Sequence, residues 1–126
     1  MLLKIIMIIA GGAIGSLARY TIGLQIDKSF NSNFPIGIFI VNLIGCFFIG
    51  LVVSLFENKL MLSENLKIFL IIGFLGSLTT FSTFALDNFN LMSSKSFYFL
   101  FVNLFMTNFF GLLMVFLGIK TIKIFN

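Results

Sequence analysis

The sequence predicts an all-α membrane protein with four transmembrane helices. Its 126 residues are 60% hydrophobic and only 10% charged, and the mean hydropathy is +1.17. Soluble domains carry about 25% charged residues, so this chain cannot cover a soluble surface. Four stretches of about 20 apolar residues, each long enough to cross a bilayer, alternate with short polar segments. We therefore expect residues 1–126 to form a single four-helix transmembrane domain.

Charged residues and turn formers set the limits of the four spans. Pro35 stands where the second span begins, and proline is tolerated in the first turn of a helix. Ser63 is a candidate N-cap before the third span. The connections are expected at 25–34, 57–67 and 87–95. The spans are expected at about 5–24, 35–56, 68–86 and 96–119.

The first span has some features of a cleaved signal peptide, namely Lys4, an apolar stretch and the triplet Ser16-Leu17-Ala18. Three further spans follow, however, and Gly11 and Gly15 form a GxxxG pair. That spacing lets helix backbones approach closely in lipid. We therefore interpret this segment as a packed membrane helix.

Composition excludes several classes of function. There is no histidine and only one cysteine, which excludes a Cys/His metal site, an intrachain disulfide and a histidine-dependent catalytic triad. The net charge is +4, but the basic residues are scattered singly, as expected for loops that face anionic lipid. A nucleic-acid-binding module would instead show a basic stripe. The hydropathy excludes a soluble enzyme and a disordered tail.

The orientation in the membrane is weakly specified by charge. An even number of spans places both termini on one side, together with five lysines, and leaves three basic residues on the other side. Under the positive-inside rule this is a small bias, so insertion in both orientations stays open. Because the four helices of one chain are too few to surround a pore on their own, we expect a homodimer with a polar pathway at the subunit interface. If both orientations coexist, the dimer would be antiparallel. The five lysines are Lys4, Lys59, Lys67, Lys120 and Lys123, and the three opposing residues are Arg19, Lys28 and Lys95.

Polar residues at depth in the spans are the main functional evidence, because lipid offers them no hydrogen bonds. The densest run is Gly73 to Phe84 in span three, where five of twelve residues carry hydroxyls and two are glycine. Such residues weaken a helix, so a break near 76–80 is expected, lining a cavity or binding an ion. The alternative is an unbroken helix whose hydroxyls bond the carbonyls four residues back.

Two phenylalanines in this run are candidates for an anion site. Phe81 and Phe84 are three residues apart and so share a helix face. Aromatic rings have positive edges, which beside hydroxyl and amide donors would hold a small anion without a full positive charge. The alternative is that they are ordinary lipid-facing or core residues, since the chain has 19 phenylalanines.

Further polar residues lie in the other spans. Asn42 in span two can supply amide donors. In span four, Asn103 and Thr107 share one stripe, whereas Asn108 lies off it and is expected only to join helices. Arg19, near the end of span one, is expected either to anchor at the interface or to line an anion-attracting vestibule.

Four segments together resemble the Fluc/CrcB fluoride channels. Residues 11–20 resemble the opening GGxxGxxxRY of that family, and residues 41–45 resemble its VNxxG segment. Residues 73–84 look like its GFxGxxTTFSTF segment, which is the most specific of the four. Residues 111–118 resemble its GLLxxxLG pattern. The resemblance covers essentially the whole chain.

The resemblance implies a dual-topology antiparallel homodimer with two fluoride pores and a central structural Na⁺, in the inner (plasma) membrane of a prokaryote. By matched position, it implies that Gly76 and Thr79 offer backbone carbonyls to the Na⁺ and that Arg19 lies in the vestibule. It also implies a fluoride pathway formed by Asn42, Thr80, Phe81, Ser82, Thr83, Phe84, Asn103 and Thr107.

Three positions depart from the family pattern. Asn103 stands where the family's span-four track usually has tyrosine, and it exchanges a phenol for an amide. Thr107 replaces a serine and keeps the hydroxyl. Asp87 replaces a glutamate and is one methylene shorter.

Our hypothesis is passive, selective fluoride export, which would lower cytoplasmic fluoride and its toxicity, with fluoride, lipid and a second copy as partners and no nucleic acid. A proton-coupled exporter of fluoride, drugs or small organic cations is the first alternative, and the lack of a carboxylate in the charge-free spans disfavours it. A scaffold subunit of a membrane complex is the second, and the clustered polar residues disfavour it. An enzyme is not expected.

Overall fold

The computed structural model describes residues 1–58 and 63–125, with the side chain of the last of these excluded. Within these residues the chain is helical without strands, and four helical segments are long and apolar enough to cross a membrane. This confirms the all-α fold with four membrane spans. Lys59, counted above for orientation, lies outside the described residues. The elements are α1 (Leu2–Phe30), α2 (Ile36–Glu57), α3 (Glu64–Lys67), a π-helix (Ile68–Leu75), α4 (Gly76–Leu78), α5 (Phe81–Ser93) and α6 (Phe97–Phe125).

The helices run further than the charge-free stretches. Helix α1 continues to Phe30, and α5 continues to Ser93, so residues 87–93 are helical rather than part of a connection as predicted. At 1.5 Å per residue, the 29 residues of α1 span about 44 Å, which exceeds a hydrocarbon core of about 30 Å. Polar residues in the last turns therefore stay helical where the helix emerges from lipid.

The helix ends carry the caps that the sequence indicates. Pro35 is the N-cap residue of α2. The Ser63 hydroxyl accepts the Leu66 N–H at 3.2 Å, which confirms this residue as the N-cap of α3. An unpredicted cap comes from α1, where the Asp27 carboxylate accepts the Gly37 N–H in the first turn of α2 at 2.8 Å.

Glycines allow two close helix pairings, of α1 with the π-helix and of α2 with α6. A Cβ atom on Gly11 would stand 2.6 Å from the Phe69 carbonyl oxygen, and one on Gly15 would collide with the Phe74 carbonyl oxygen. In the second pair, a Cβ on Gly118 would collide with the backbone of Phe47. The predicted packing role of the GxxxG pair in α1 is thus confirmed.

Span three is interrupted at Thr79 and Thr80, whose backbones are extended (φ −80°, ψ 153° and φ −149°, ψ 126°). The predicted break is therefore present, although the two halves of the span bend by only 12°. The buried core, formed by Val41, Val52, Leu75 and Leu78, lies beside it. Upstream, the π-helix is a wide-turn segment that the sequence did not predict, and such segments often occur near functional sites.

Candidate functional site

A cavity of about 290 Å³ lies beside the interruption of span three. It is bounded by α2, the two ends of the break and α6, and none of its lining residues in the described part of the chain is charged. Five of the eight predicted pathway residues line it, namely Asn42, Thr80, Phe81, Phe84 and Thr107. The other three, Ser82, Thr83 and Asn103, are not among its lining residues. The cavity thus brings amide, hydroxyl and aromatic groups from three spans together.

Asn42 joins span two to the break through a reciprocal pair of hydrogen bonds. The Thr80 N–H donates to Asn42 Oδ1 at 2.9 Å, and Asn42 Nδ2 donates to the Thr80 carbonyl at 3.2 Å. Asn42 is 8% exposed. In a continuous helix the Thr80 N–H would bond the Gly76 carbonyl, so the side chain replaces a backbone partner that the break removes. One N–H of the Asn42 amide remains available to a ligand.

The hydroxyl residues after the break form a cap at the start of α5. Thr80 Oγ1 accepts the Thr83 N–H at 3.3 Å, as an N-cap does. The same hydroxyl lies 3.3 Å from Thr83 Oγ1 and 3.1 Å from Ser82 Oγ. Ser82 is exposed on the surface of the single chain. The hydroxyls of these three residues thus lie together, and Thr80 alone among them lines the cavity.

The two phenylalanines form a pair with very different exposure. The ring centroids of Phe81 and Phe84 are 5.7 Å apart and the planes are tilted by 48°. Phe84 is buried, with 7% of its surface exposed, whereas Phe81 is 78% exposed. Phe81 thus forms an outer wall of the cavity, on a face of the single chain that lipid or another protein must cover.

Behind Thr107, three hydrogen bonds connect span four to span three. The Thr107 hydroxyl donates to Asn103 Oδ1 at 3.0 Å, and Asn103 Nδ2 donates to Asn88 Oδ1 at 3.0 Å. Asn88 Nδ2 in turn donates to the Phe84 carbonyl at 2.9 Å. Asn103 is 1% exposed and Asn88 is 8% exposed. We call this set of bonds the amide chain.

Sequence reasoning missed Asn88 because it placed residues 87–95 in a connection. One signal was available, since Asn88 lies four residues after Phe84 and would share its face if the helix continued. Asn108 also differs from expectation. Its amide donates to the Leu104 carbonyl of its own helix at 2.7 Å, so within the described residues it forms no bond to another helix. It lines the cavity instead.

Arg19 reaches the break itself. Its Nη1 atom donates to the Thr79 carbonyl at 3.4 Å, and the side chain is partly buried. The Gly76 carbonyl does not receive the usual helical hydrogen bond from the Thr80 N–H, because that N–H bonds Asn42. Backbone carbonyls that lose their helical donors at a break in a membrane helix can coordinate Na⁺. The two predicted cation ligands are therefore chemically suited to Na⁺, although Thr79 shares its carbonyl with Arg19.

A second cavity, of about 690 Å³, lies where the ends of α1 and α5 meet the starts of α2 and α6. Its lining is more polar and includes Asp27 and Asp87. Asp87 Oδ2 is buried without a hydrogen-bond partner in the described residues. Asp87, the acidic residue that departs from the family pattern, thus lines the second cavity and not the first.

Comparison with known proteins matches the chain to a family model described as CrcB-like protein, Camphor Resistance (CrcB), over residues 6–119. The chain belongs to the CrcB family. Among curated relatives, the fluoride-specific ion channel FluC of Desulfotalea psychrophila is 46% identical over 114 residues, covering 90% of this chain and 88% of that protein. FluC of Azobacteroides pseudotrichonymphae is 46% identical over 98 residues, 78% of each chain. FluC 3 of Methanosarcina barkeri is 38% identical over 120 residues, covering 95% of this chain and 89% of that protein.

The CrcB match confirms the resemblance inferred from the four segments. The matched range contains Arg19 in α1, Asn42 in α2, the interrupted region of span three and Thr107 in α6. Every structural element that lines the first cavity therefore belongs to the region shared with the family. The chain is a multi-pass membrane protein of a transporter family, not an enzyme.

Proposed function

We propose that this chain is a fluoride-selective channel that lets fluoride leave the cell passively through the plasma membrane and so lowers its toxicity. The observation that carries the proposal is the uncharged cavity where Asn42, Thr107 and the phenylalanine pair converge beside the broken span. Relatives that cover most of the chain bear the name fluoride-specific ion channel.

An uncharged site suits rapid passage of a small anion. Fluoride is strongly hydrated, so its water must be replaced by N–H and O–H donors along the path. The remaining N–H of Asn42 supplies such a donor, and the C–H edges of Phe81 and Phe84 add partial positive charge. A buried lysine or arginine would bind the ion too tightly for it to leave. The proposal includes a path too narrow for larger halides, which would give the selectivity.

The proposed active form is an antiparallel homodimer with two pores. Phe81 is 78% exposed in the single chain although it forms a wall of the cavity. A second copy placed against this face would bury that ring and close the cavity on its open side. The small bias in basic residues between the two sides of the membrane is compatible with chains inserted in both orientations.

The proposed structural Na⁺ would be held by the carbonyls of Gly76 and Thr79 from both copies. Each carbonyl oxygen has two lone pairs, so Thr79 can keep its long bond from Arg19 and still face a cation. When bound, the ion would supply a fixed positive potential between the two pores. The residues of the chain supply the donors along each path.

The test is fluoride efflux from liposomes that contain the purified protein, with chloride as the comparison ion. We expect fast fluoride efflux, little chloride efflux and loss of fluoride efflux in Phe81→Ile. Phe101→Ile is the matched control, because Phe101 is 66% exposed and lines neither cavity. No efflux from folded wild-type dimers, or equal rates for the two ions, would refute the proposed channel.

Asp87 is a carboxylate within helix α5, and a carboxylate in a membrane helix could carry protons. Proton coupling is therefore tested separately. A passive channel should show the same fluoride efflux at a given fluoride gradient with and without a pH gradient. A rate that follows the pH gradient would favour the coupled exporter. Dependence of dimer stability on Na⁺, measured against a larger organic cation, tests the structural ion separately.

A further inference from the structure

The amide chain runs in one direction only, and a backbone carbonyl sets that direction. The Phe84 carbonyl can only accept, so Asn88 must turn its NH₂ group toward it at 2.9 Å. The Asn88 oxygen then faces Asn103, which must present its own NH₂ group at 3.0 Å. The Asn103 oxygen is left facing Thr107, so the Thr107 hydroxyl must donate at 3.0 Å.

The bond from Thr107 to Asn103 determines which hydrogen-bonding groups of Thr107 are available to a ligand in the cavity. A hydroxyl has one hydrogen, and the Thr107 hydrogen is committed to Asn103. Thr107 lines the cavity, whereas Asn103 is 1% exposed and lies behind it. With its hydrogen committed in this way, the Thr107 hydroxyl can offer a ligand in the cavity only its acceptor lone pairs and not its O–H.

We infer that Asn88 is a positioning residue that governs anion binding by holding the Thr107 hydroxyl in this acceptor-facing state. The inference rests on the proposed function, in which the cavity carries fluoride. Fluoride can only accept hydrogen bonds. To bind Thr107 it must therefore replace Asn103 Oδ1 as the acceptor of the Thr107 O–H. While Asn88 fixes the Asn103 amide, that change leaves a buried oxygen without its donor. Ion binding at Thr107 is thereby weakened, which favours release.

Removing the anchor should free the hydroxyl. In Asn88→Leu, the Asn103 amide loses the partner that fixes its direction, and it can turn its NH₂ group toward the Thr107 oxygen. Thr107 can then donate to the ion without the loss of a further hydrogen bond, because in this variant one end of the Asn103 amide lacks a partner in either orientation. A residue that served only to join the helices would change the stability of the dimer but not the affinity of the folded channel for fluoride.

The experiment measures initial fluoride efflux from liposomes over a range of internal sodium fluoride concentrations, which separates the half-saturating concentration from the maximal rate. We expect Asn88→Leu to lower the half-saturating concentration about 3- to 10-fold, the range of one hydrogen bond. The same substitution in a Thr107→Val background should have no such effect, because the hydroxyl that it frees is absent. Asn90→Leu is the matched control, since Asn90 is exposed on the same helix and lies outside the amide chain.

A second variant guards against failure of Asn88→Leu to fold. Asn103→Leu removes the acceptor of the Thr107 hydroxyl and should also lower the half-saturating concentration, whereas a direct ion contact at Asn103 would make it rise. If the wild type shows fluoride efflux but both variants have an unchanged or raised half-saturating concentration, this inference is refuted and the proposed function is not. Absence of fluoride efflux from folded wild-type dimers overturns the proposed function, and this inference with it.

Discussion

Replacing Asn42 tests the reciprocal bonds that hold the break in span three. In Asn42→Ala, the Thr80 N–H and the Thr80 carbonyl both lose their side-chain partner. A buried polar group left without a partner costs about 1–3 kcal/mol, and the Thr80 N–H becomes such a group, whereas the Thr80 carbonyl still accepts the first hydrogen bond of α5. Thr80 also lines the cavity of about 290 Å³, which is roomy enough to admit water to these groups. We therefore expect a loss of about 2 kcal/mol in the free energy of unfolding.

The assay is reversible unfolding of the purified protein in detergent or bicelles, compared between variants at equal protein concentration. Asn108→Ala is the matched control, because it removes another cavity-lining asparagine whose amide only bonds its own helix, at the Leu104 carbonyl. That carbonyl keeps its helical position, so the expected change is within about 0.5 kcal/mol. Equal destabilisation by the two substitutions would refute the reasoning that Asn42 replaces a missing backbone partner.

Two further predictions concern packing and capping. Gly118→Ala should destabilise the fold by about 1–3 kcal/mol, because its Cβ would collide with α2 backbone, whereas Gly111→Ala meets only an ordinary 3.6 Å contact with Cys46. Similar melting temperatures for these two variants would contradict the close α2–α6 approach. Asp27→Ala should lower the free energy of unfolding by about 1 kcal/mol because the start of α2 loses its cap, while Asp27→Asn keeps an acceptor and should lose less. Equal losses in the two Asp27 variants would contradict the capping role.

The sequence was sufficient for features that depend on local composition. Long uncharged stretches predicted the four spans, and the Gly and hydroxyl content of residues 73–84 predicted the interruption near Thr79. The GxxxG pair in α1 predicted a close helix contact. Each of these rests on the same physical requirement, that backbone polar groups in lipid be satisfied or packed within the protein.

The sequence was insufficient where distant segments meet. Asn88 lies among polar residues that resemble a connection, and only the position of α6 shows that its amide is buried against Asn103. The cap from Asp27 to Gly37 likewise depends on how α1 crosses the start of α2. The π-helix has no compositional signature in this apolar stretch. These features follow from the packing of helices, which a hydropathy pattern does not encode.

The two-residue gap at 79–80 has an electrostatic consequence for the membrane interior. A helix carries about half a positive charge at its amino end and half a negative charge at its carboxyl end. The segment that ends at Leu78 therefore presents its negative end in mid-span, a few residues from the positive end of α5 at Phe81. Opposite partial charges thus stand next to each other, without any ionised side chain in span three at this depth. One break in a helix thus places a partly negative and a partly positive backbone end side by side within the span.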